Sequence, residues 1–443
     1  MIYRALALAA AVLLSSTALA APPIQHWTLD NGARVYFVET HDLPIVDARL
    51  VFDAAAARDG DLPGLARLTN GLLDQGNGGL NAGEIARRLE TVGARLSGGS
   101  ERDMAWLHLR TLSKPEALDP AIDTLATVVG QPDFPEPAIA RLRAQMMVGL
   151  QAVKQSPGEL GERAFYKTVY GDHPYAIPPA GTEESLPKIR RQDVQAFYRR
   201  YYTAPNMVLA IAGDLTRAQA EAIAKRITAR LPKGERAPEL PPVPKLNSAP
   251  TVHIPFNSAQ THIMLGQPAI DRDDPGIYAF SVGNHILGGG GLVSVLTTAM
   301  REERGLSYSS SSYFVPSARP GPFVMATQVR NDSTGEAIEV LTDVFTRLIE
   351  QGPTEAQLTA AKQNITGSFP LNLDSNRDIV GYLASIGFYR LPLDYLETYV
   401  QNMEKVTAAD VREVFRRHLD PDTLATVLVG PAEAAADAKT SAR

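Results

Sequence analysis

The chain has 443 residues, which is long for a single domain and predicts about two to four. Its composition, 44% apolar and 21% charged, is that of a globular protein with a substantial core. The net charge of −6 and the lack of a long basic tract argue against nucleic-acid binding, and the absence of cysteine excludes disulfides, thiolate metal sites and a lipid-modified cysteine anchor.

The first twenty residues have the pattern of a cleavable signal peptide. Arg4 supplies the positive charge, residues 5–14 are apolar, and residues 18–20 (Ala-Leu-Ala) form an A-x-A cleavage site. The apolar run is too short for a membrane anchor, which needs about 20 residues. We therefore expect cleavage near Ala20 and a periplasmic protein without a membrane anchor, and the absence of cysteine suits that compartment.

Each half of the remaining chain shows the same order of predicted elements. Alternating and apolar runs predict strands at 35–40, 47–54, 104–112 and 323–329, whereas helical periodicity predicts helices at 82–93 and 137–153. Strands and helices alternate, but some strands also follow one another directly. We therefore expect α+β domains, each with a mixed or antiparallel sheet covered on one face by helices.

A proline-rich segment separates the two halves. Residues 232–250 hold six prolines and no apolar period, so they predict a linker between domains at 21–231 and 251–431. The small, polar residues 432–443 predict a flexible tail.

The two halves also resemble each other in sequence. Residues 193–214 align without gaps with residues 410–431, and in both segments Asp-Val opens a predicted helix. The sequence AIDTL at 121–125 recurs as AIEVL at 337–341, at nearly the same offset. The shared offset and element types indicate an internal duplication.

The segment Leu287–Tyr308, LGGGGLVSVLTTAMREERGLSY, holds the candidate functional residues of the second half. Its glycines open a predicted helix and are Gly288, Gly289, Gly290 and Gly291. A phosphate-binding loop would continue with Gly-Lys-Ser/Thr, which is absent here, so we expect close backbone approach or a hinge. Arg301 lies near the end of the predicted helix and Tyr308 at the start of a predicted strand. Taken alone, they are also typical of a helix-terminal cation and a strand aromatic.

This segment, together with PGLARLTNGLL and AGEIARRLETVGARLSGGSERD in the first half, resembles the M16 zinc peptidases, the family of insulinase, pitrilysin and the mitochondrial processing peptidase. The resemblance covers about residues 25–431 and is strongest at 287–308. It implies two duplicated α+β domains of the LuxS/MPP-like metallohydrolase fold. In active members an arginine grips a substrate carbonyl, and a tyrosine seven residues later donates to the oxyanion of the tetrahedral intermediate. The resemblance gives these roles to Arg301 and Tyr308.

The same resemblance implies that the zinc site has been lost. Active members carry His-x-x-Glu-His on a helix, with two zinc-binding histidines and a glutamate that activates water. Those places hold Arg67, Asn70 and Gly71, and the third ligand, a glutamate, would fall at Val148 or Gly149. No two of the eight histidines lie three to five residues apart, so no single helix offers a histidine pair. We expect no metal in this chain, with Arg67 either forming a salt bridge in the vacated site or standing in solvent.

Three functions follow as alternatives. The first is the non-catalytic subunit of a heterodimeric M16 peptidase, in which a zinc-bearing M16 partner cleaves short or unfolded peptides and this chain completes its site. The second is a non-enzymatic peptide-binding or scaffold protein derived from the M16 fold. The third, a hydrolase acting alone, is disfavoured because the chain has no cysteine and no Gly-x-Ser-x-Gly motif.

Overall fold

The computed structural model describes residues 23–433 and contains a large mixed sheet in each half. The predicted signal peptide and residues 434–443 of the predicted tail lie outside the described residues. Within the described range, none of the helices combines the length and the apolar character needed to cross a membrane.

The strands of the described range are β1 (Gln25–Thr28), β2 (Arg34–Glu39), β3 (Ile45–Phe52), β4 (Gly76–Asn77), β5 (Leu80–Asn81), β6 (Arg95–Ser100), β7 (Ala105–Leu112), β8 (Met207–Gly213), β9 (Thr251–Pro255), β10 (Gln260–Pro268), β11 (Ser310–Phe314), β12 (Pro322–Arg330) and β13 (Ala425–Gly430). Its α-helices are α1 (Leu65–Gly71), α2 (Ala82–Glu90), α3 (Pro115–Gly130), α4 (Glu136–Val153), α5 (Pro157–Tyr170), α6 (Arg191–Tyr201), α7 (Arg217–Thr228), α8 (Ile277–Asn284), α9 (Val295–Thr297), α10 (Thr334–Gln351), α11 (Glu355–Ser368), α12 (Asn376–Tyr389), α13 (Tyr395–Lys405) and α14 (Ala408–His418).

The two sheets have related topologies. The strand order is β1-β2-β8-β3-β7-β6 in the first half and β11-β12-β10-β13-β9 in the second. One pair in each sheet is parallel, β2 with β8 and β13 with β9, and the other neighbours are antiparallel. The predicted α+β class with two mixed sheets is confirmed.

Each half lends one helix to the sheet of the other half. Helix α5 packs on the second sheet, where Phe165 and Val169 share a buried cluster with Val427. Helix α12 packs in the same way on the first sheet, where Leu383 shares a cluster with Val208. The two helices start at residues 157 and 376, close to the offset of the sequence repeat.

The expectation of helices on only one face of each sheet was therefore wrong. All seven residues of β8 are buried, so this strand has two apolar faces, and both have to be covered. The helices of the first half cover one face, and α12 covers the other. The continuous apolar sequence of β8, MVLAIAG, carried this signal.

The paired helices of the repeat begin earlier than predicted. The Asp-Val dipeptides lie at the third helical position, because α6 starts at Arg191 and α14 at Ala408. Asp193 accepts a hydrogen bond of 2.8 Å from the backbone N–H of Arg190, and Asp410 accepts the equivalent bond of 2.9 Å at the start of α14. Both aspartates thus stabilise the first turn of their helix. At α14 the Thr407 hydroxyl also accepts from the backbone N–H of Asp410 at 3.2 Å and completes a capping box, whereas Arg190 has no acceptor to do so at α6.

Residues 232–250 form neither helix nor strand, but they are attached to both halves. The backbone N–H of Ala237 donates to Asn206 of the first half at 2.9 Å. The carbonyl of Leu240 accepts a hydrogen bond of 2.8 Å from Arg319 of the second half. The domain boundaries placed around this segment stay a prediction.

Candidate functional site

The glycine-rich loop lies between two helical segments instead of opening one. After α8 the chain makes a π-helical turn at His285–Gly289 and a 3-10 turn at Gly291–Val293 before α9 begins. A Cβ atom at Gly288 would lie 2.2 Å from the backbone nitrogen of Ser312 in β11. Glycine is therefore required there because helix and strand backbones come close together, as expected for one of the two roles considered.

The second helical segment ends just before the candidate pair. Arg301 lies in a π-helical turn at Thr298–Glu302, and Gly305, with φ of +62°, reverses the chain. Strand β11 begins only at Ser310, so Tyr308 lies in the turn before the strand. The prediction that Tyr308 starts a strand was therefore wrong.

The structure brings Arg301 and Tyr308 together on the surface. The guanidinium carbon of Arg301 lies 4.7 Å from the centroid of the Tyr308 ring, a cation–π contact. Tyr308 is 81% exposed. Within residues 23–433, neither side chain makes a hydrogen bond or an ion pair, so the phenol and the guanidinium remain available to a ligand.

A buried set of hydroxyl groups holds the turn that carries Tyr308. The Thr327 hydroxyl, on β12, donates to Ser307 Oγ at 2.9 Å, and it lies 2.8 Å from Ser310 Oγ. The Ser307 hydroxyl donates to the carbonyl of Ser309 at 2.8 Å. Both residues flanking Tyr308 are therefore anchored while its ring stays in solvent. Sequence reasoning missed this network, although the serine-rich text SYSSSS offered the residues for it.

Tyr308 borders a cleft of about 410 Å³ on the face of the second sheet on which α5 packs. The cleft is lined by the first turns of α5, by β10 and β12, and by the segment from Ser307 to Tyr313. Its charged side chain is Glu162, and burial lowers the pKa of His262, which favours the neutral imidazole. The lining is otherwise polar and uncharged or weakly apolar, which suits an extended peptide better than a compact anion.

The former zinc-box positions are not arranged as a metal site. Arg67 is exposed and has no ion pair in the described part of the chain, which favours the solvated alternative. Val148 is 71% exposed, and a Cβ at Gly71 would lie 2.8 Å from Leu142 Cδ2. No cluster of three or more histidine, aspartate or glutamate side chains between residues 23 and 433 could hold a metal ion.

Asn70, to which the resemblance gives the position of the base, has a structural role in this fold. It is buried, and its Nδ2 donates to the carbonyl of Trp106 at 3.3 Å and to the hydroxyl of Tyr202 at 3.2 Å. Its Oδ1 lies close to Gly98 of β6, since a Cβ atom added at Gly98 would be 3.2 Å from this oxygen. The side chain thus ties the end of α1 to the first sheet.

We expect Asn70→Glu to destabilise the fold without creating a base. A carboxylate cannot donate to the Trp106 carbonyl, so two acceptors would face each other in a buried place, at a cost of about 1–3 kcal/mol. Urea unfolding of the variant checks the loss, and zinc analysis should find well below one zinc per chain in both proteins. Exposed Arg67→Gln, one turn earlier, should leave the unfolding midpoint unchanged; an equal effect of both substitutions would contradict the role given to Asn70.

Two family models match consecutive parts of the chain. Residues 34–183 match the model described as "Insulinase (Peptidase family M16)", and residues 188–365 match "Peptidase M16 inactive domain". Together they cover most of both halves.

Similar proteins extend over nearly the whole chain. The crystal structure of a peptidase M16 inactive domain from Pseudomonas fluorescens is 41% identical, with a TM-score of 0.90, and the match covers 92% of this chain and 98% of that one. An uncharacterized zinc protease of Mycobacterium leprae is 27% identical over 91% of each chain. The "Non-peptidase homolog YmxG" of Helicobacter pylori is 23% identical over 89% of this chain and 91% of that protein. The chain therefore belongs to peptidase family M16.

Proposed function

We propose that this chain is the zinc-less subunit of a two-chain M16 peptidase and that Arg301 and Tyr308 complete the site of a zinc-bearing partner. The proposal rests mainly on one observation, the exposed Arg301–Tyr308 pair beside a cleft, while residues 23–433 hold no group of side chains that could bind a metal ion. Zinc would belong to the partner, and the substrates would be short or unfolded peptides. The signal-peptide pattern supports a periplasmic location.

The chemistry needs a donor outside the metal site. Attack on a peptide bond places negative charge on the former carbonyl oxygen, and a preorganised donor stabilises that charge. The phenol of Tyr308 can donate to this oxygen, while the guanidinium of Arg301 can hold a neighbouring carbonyl of the peptide. An exposed phenol has no stabilising purpose in this chain by itself, which supports a role toward a ligand or a second chain.

The buried hydroxyl network supplies the preorganisation. We expect Thr327→Val to lower the turnover of the two-chain enzyme about tenfold while leaving binding of the partner intact, because the network fixes the turn that carries Tyr308, and a misplaced donor stabilises the oxyanion less well. Steady-state kinetics of the mixed chains would measure the loss. The control is Thr366→Val, which removes a hydroxyl bonded only to the Lys362 carbonyl of its own helix, far along the sequence from the network.

The test of the proposed function is a mixing experiment. A quenched fluorescent peptide of roughly ten residues, enough to lie extended across a site, would be offered to this chain, to the zinc-box M16 chain of the same genome, and to both together. We expect no cleavage by this chain alone and a large gain on mixing, with zinc found only in the partner. Cleavage by the purified chain alone, or zinc bound to it stoichiometrically, would contradict the assignment and favour a hydrolase acting alone.

A peptide-binding or scaffold protein is the second candidate. It is supported by the open cleft beside Tyr308 and by the similarity to a relative whose name describes a non-peptidase homologue. It predicts that the fluorescent peptide binds to this chain, by fluorescence polarisation, without any gain in cleavage when an M16 partner is added.

A further inference from the structure

A second cleft lies at the junction of the two halves, away from the Arg301–Tyr308 pair. It has a volume of about 340 Å³, near the lower end of small-molecule sites, which span roughly 300–1,000 Å³. Its walls come from the first half, from the linker segment 232–250 and from the second half, and it shares no lining residue with the cleft beside Tyr308.

The charges of this junction cleft are mainly positive, although the whole chain carries −6. Its charged lining residues are six arginines and four acids: Arg34, Arg58, Arg236, Arg272, Arg319 and Arg390, with Asp53, Asp103, Glu239 and Asp273. Two of the arginines are paired within the cleft, since Arg58 contacts Asp53 at 2.6 Å and Arg319 contacts Glu239 at 3.0 Å. The other four have no ion pair among the described residues, although Arg34 donates to the carbonyl of Gly387 at 2.6 Å and Arg272 lies 5.8 Å from the centroid of the Tyr389 ring.

The unpaired arginines come from separate parts of the chain. Arg34 begins β2, Arg236 lies in the linker segment, Arg272 follows β10, and Arg390 follows α12. Burial lowers the pKa of Arg34, Tyr36 acts to raise it, and the positive charge of Arg390 lowers it further, so the two cations are close enough to repel each other.

The backbone of Arg390 is itself in an unfavourable conformation. Its φ is +57°, at a helix end where glycine is the usual residue. A local gain in stability would come from glycine at this position, yet the chain has a cation there. Retaining an arginine in a strained position next to another unpaired arginine points to a ligand.

A buried carboxyl group adds a second sign of a missing partner. Asp103 is only 6% exposed; its Oδ2 accepts from the backbone N–H of Ala318 at 2.8 Å and from the Tyr389 hydroxyl at 3.3 Å. Its Oδ1 is buried and makes no regular hydrogen bond among the described residues, although the nearby Tyr175 hydroxyl acts to lower the pKa of Asp103. Asp103 is one of the residues that line the cleft. Burial raises the pKa of Asp103, so this group offsets the arginines less than an ordinary carboxylate and can donate when protonated.

We propose that the junction cleft binds a small multivalent oxyanion, a phosphate ester or a polycarboxylate, through Arg34, Arg236, Arg272 and Arg390. Arginine forks bind carboxylate and phosphate oxygens in pairs, which is the chemistry that four guanidinium groups without a carboxylate partner among the described residues offer. Because the four arginines come from both halves and the segment between them, a bound anion links the halves and stiffens their junction. The proposal does not depend on the peptidase role.

Calorimetric titration of the full mature chain, at constant ionic strength, tests the site with pyrophosphate, citrate and chloride as probes. We expect one site per chain for pyrophosphate, citrate or both, a higher melting temperature on binding, and no effect of chloride. Tighter binding of pyrophosphate would identify a phosphate ligand, whereas tighter binding of citrate would identify a carboxylate. Failure of both anions to bind at millimolar concentration would overturn the proposal.

Two variants separate this site from general attraction of anions. Arg390→Gly and Arg272→Gln should each weaken binding about tenfold or more, because each removes a charge-assisted contact. Glycine suits the backbone conformation at 390, so loss of the fold does not confuse the result. Arg88→Gln, an exposed change of equal charge on α2, should leave the affinity unchanged. Equal anion binding by all three variants would overturn the proposal. Peptide cleavage by the mixed chains is measured separately, because it tests the Arg301–Tyr308 pair and not the anion site.

Discussion

Tyr308→Phe is expected to lower the turnover of the mixed two-chain peptidase by about 10²- to 10³-fold, the loss that follows removal of one oxyanion donor. The phenol is 81% exposed and free of internal hydrogen bonds, so the substitution removes a donor without disturbing the fold. The ring itself remains and still contacts Arg301. We therefore expect kcat to fall while KM and the stability of this chain change little.

Arg301→Ala should act mainly on substrate binding. It removes a charge-assisted hydrogen bond to the peptide, which predicts a fall of about 10- to 100-fold in kcat/KM. The matched control is Arg304→Ala, three residues later, since Arg304 is exposed and contacts Glu303 at 3.1 Å. Sedimentation of the mixed chains must show intact assembly. Unchanged turnover in both Tyr308→Phe and Arg301→Ala would contradict the proposed function and favour the peptide-binding alternative.

Asp47→Ala is expected to give the largest loss of stability, about 3 kcal/mol or more, because it breaks a buried charged network. Asp47 is fully buried on β3, 2.7 Å from His108 Nε2 and 2.9 Å from an Arg110 nitrogen on β7. Removing the carboxylate leaves both partners without their acceptor. Urea unfolding monitored by circular dichroism checks the prediction, and Glu221→Gln, which breaks an exposed pair with Lys225, should have little effect.

The same network predicts sensitivity to acid. Burial acts to raise the pKa of Asp47, but the hydrogen bonds from His108 and Arg110 and the positive charge of Arg110 outweigh it, so the pKa is lowered. A carboxylate with a lowered pKa in the folded state contributes its full stability above its ordinary value of 3.8 and loses it as the pH falls through the lower folded value. The unfolding midpoint of the wild type should therefore fall steeply below that pH, and that of Asp47→Ala should fall less. Parallel curves would contradict the role of Asp47.

The sequence was sufficient for the family and the fold class. Both rest on local sequence, because hydrophobic periodicity predicts the elements and short motifs carry the resemblance. The loss of the zinc box at positions 67, 70 and 71 stays a prediction. The separation of seven residues between Arg301 and Tyr308 likewise indicated that the two side chains could meet. The π-helical turns at His285–Gly289 and Thr298–Glu302 were not visible, because residue propensities do not distinguish the hydrogen-bond register of a π-helical turn from that of an α-helix.

Only the tertiary structure decided how the halves are joined and where the charges meet. The exchange of α5 and α12, the Asp47 network and the junction cleft bring together residues far apart in the chain, as in the hydrogen bond between Asp103 and Tyr389 across 286 positions. Apolar periodicity predicts that one face of a strand or helix is buried, but it does not show which other element covers that face. Likewise, a count of arginines does not show which ones lack a partner. Both outcomes depend on distances between segments, which the folded backbone sets.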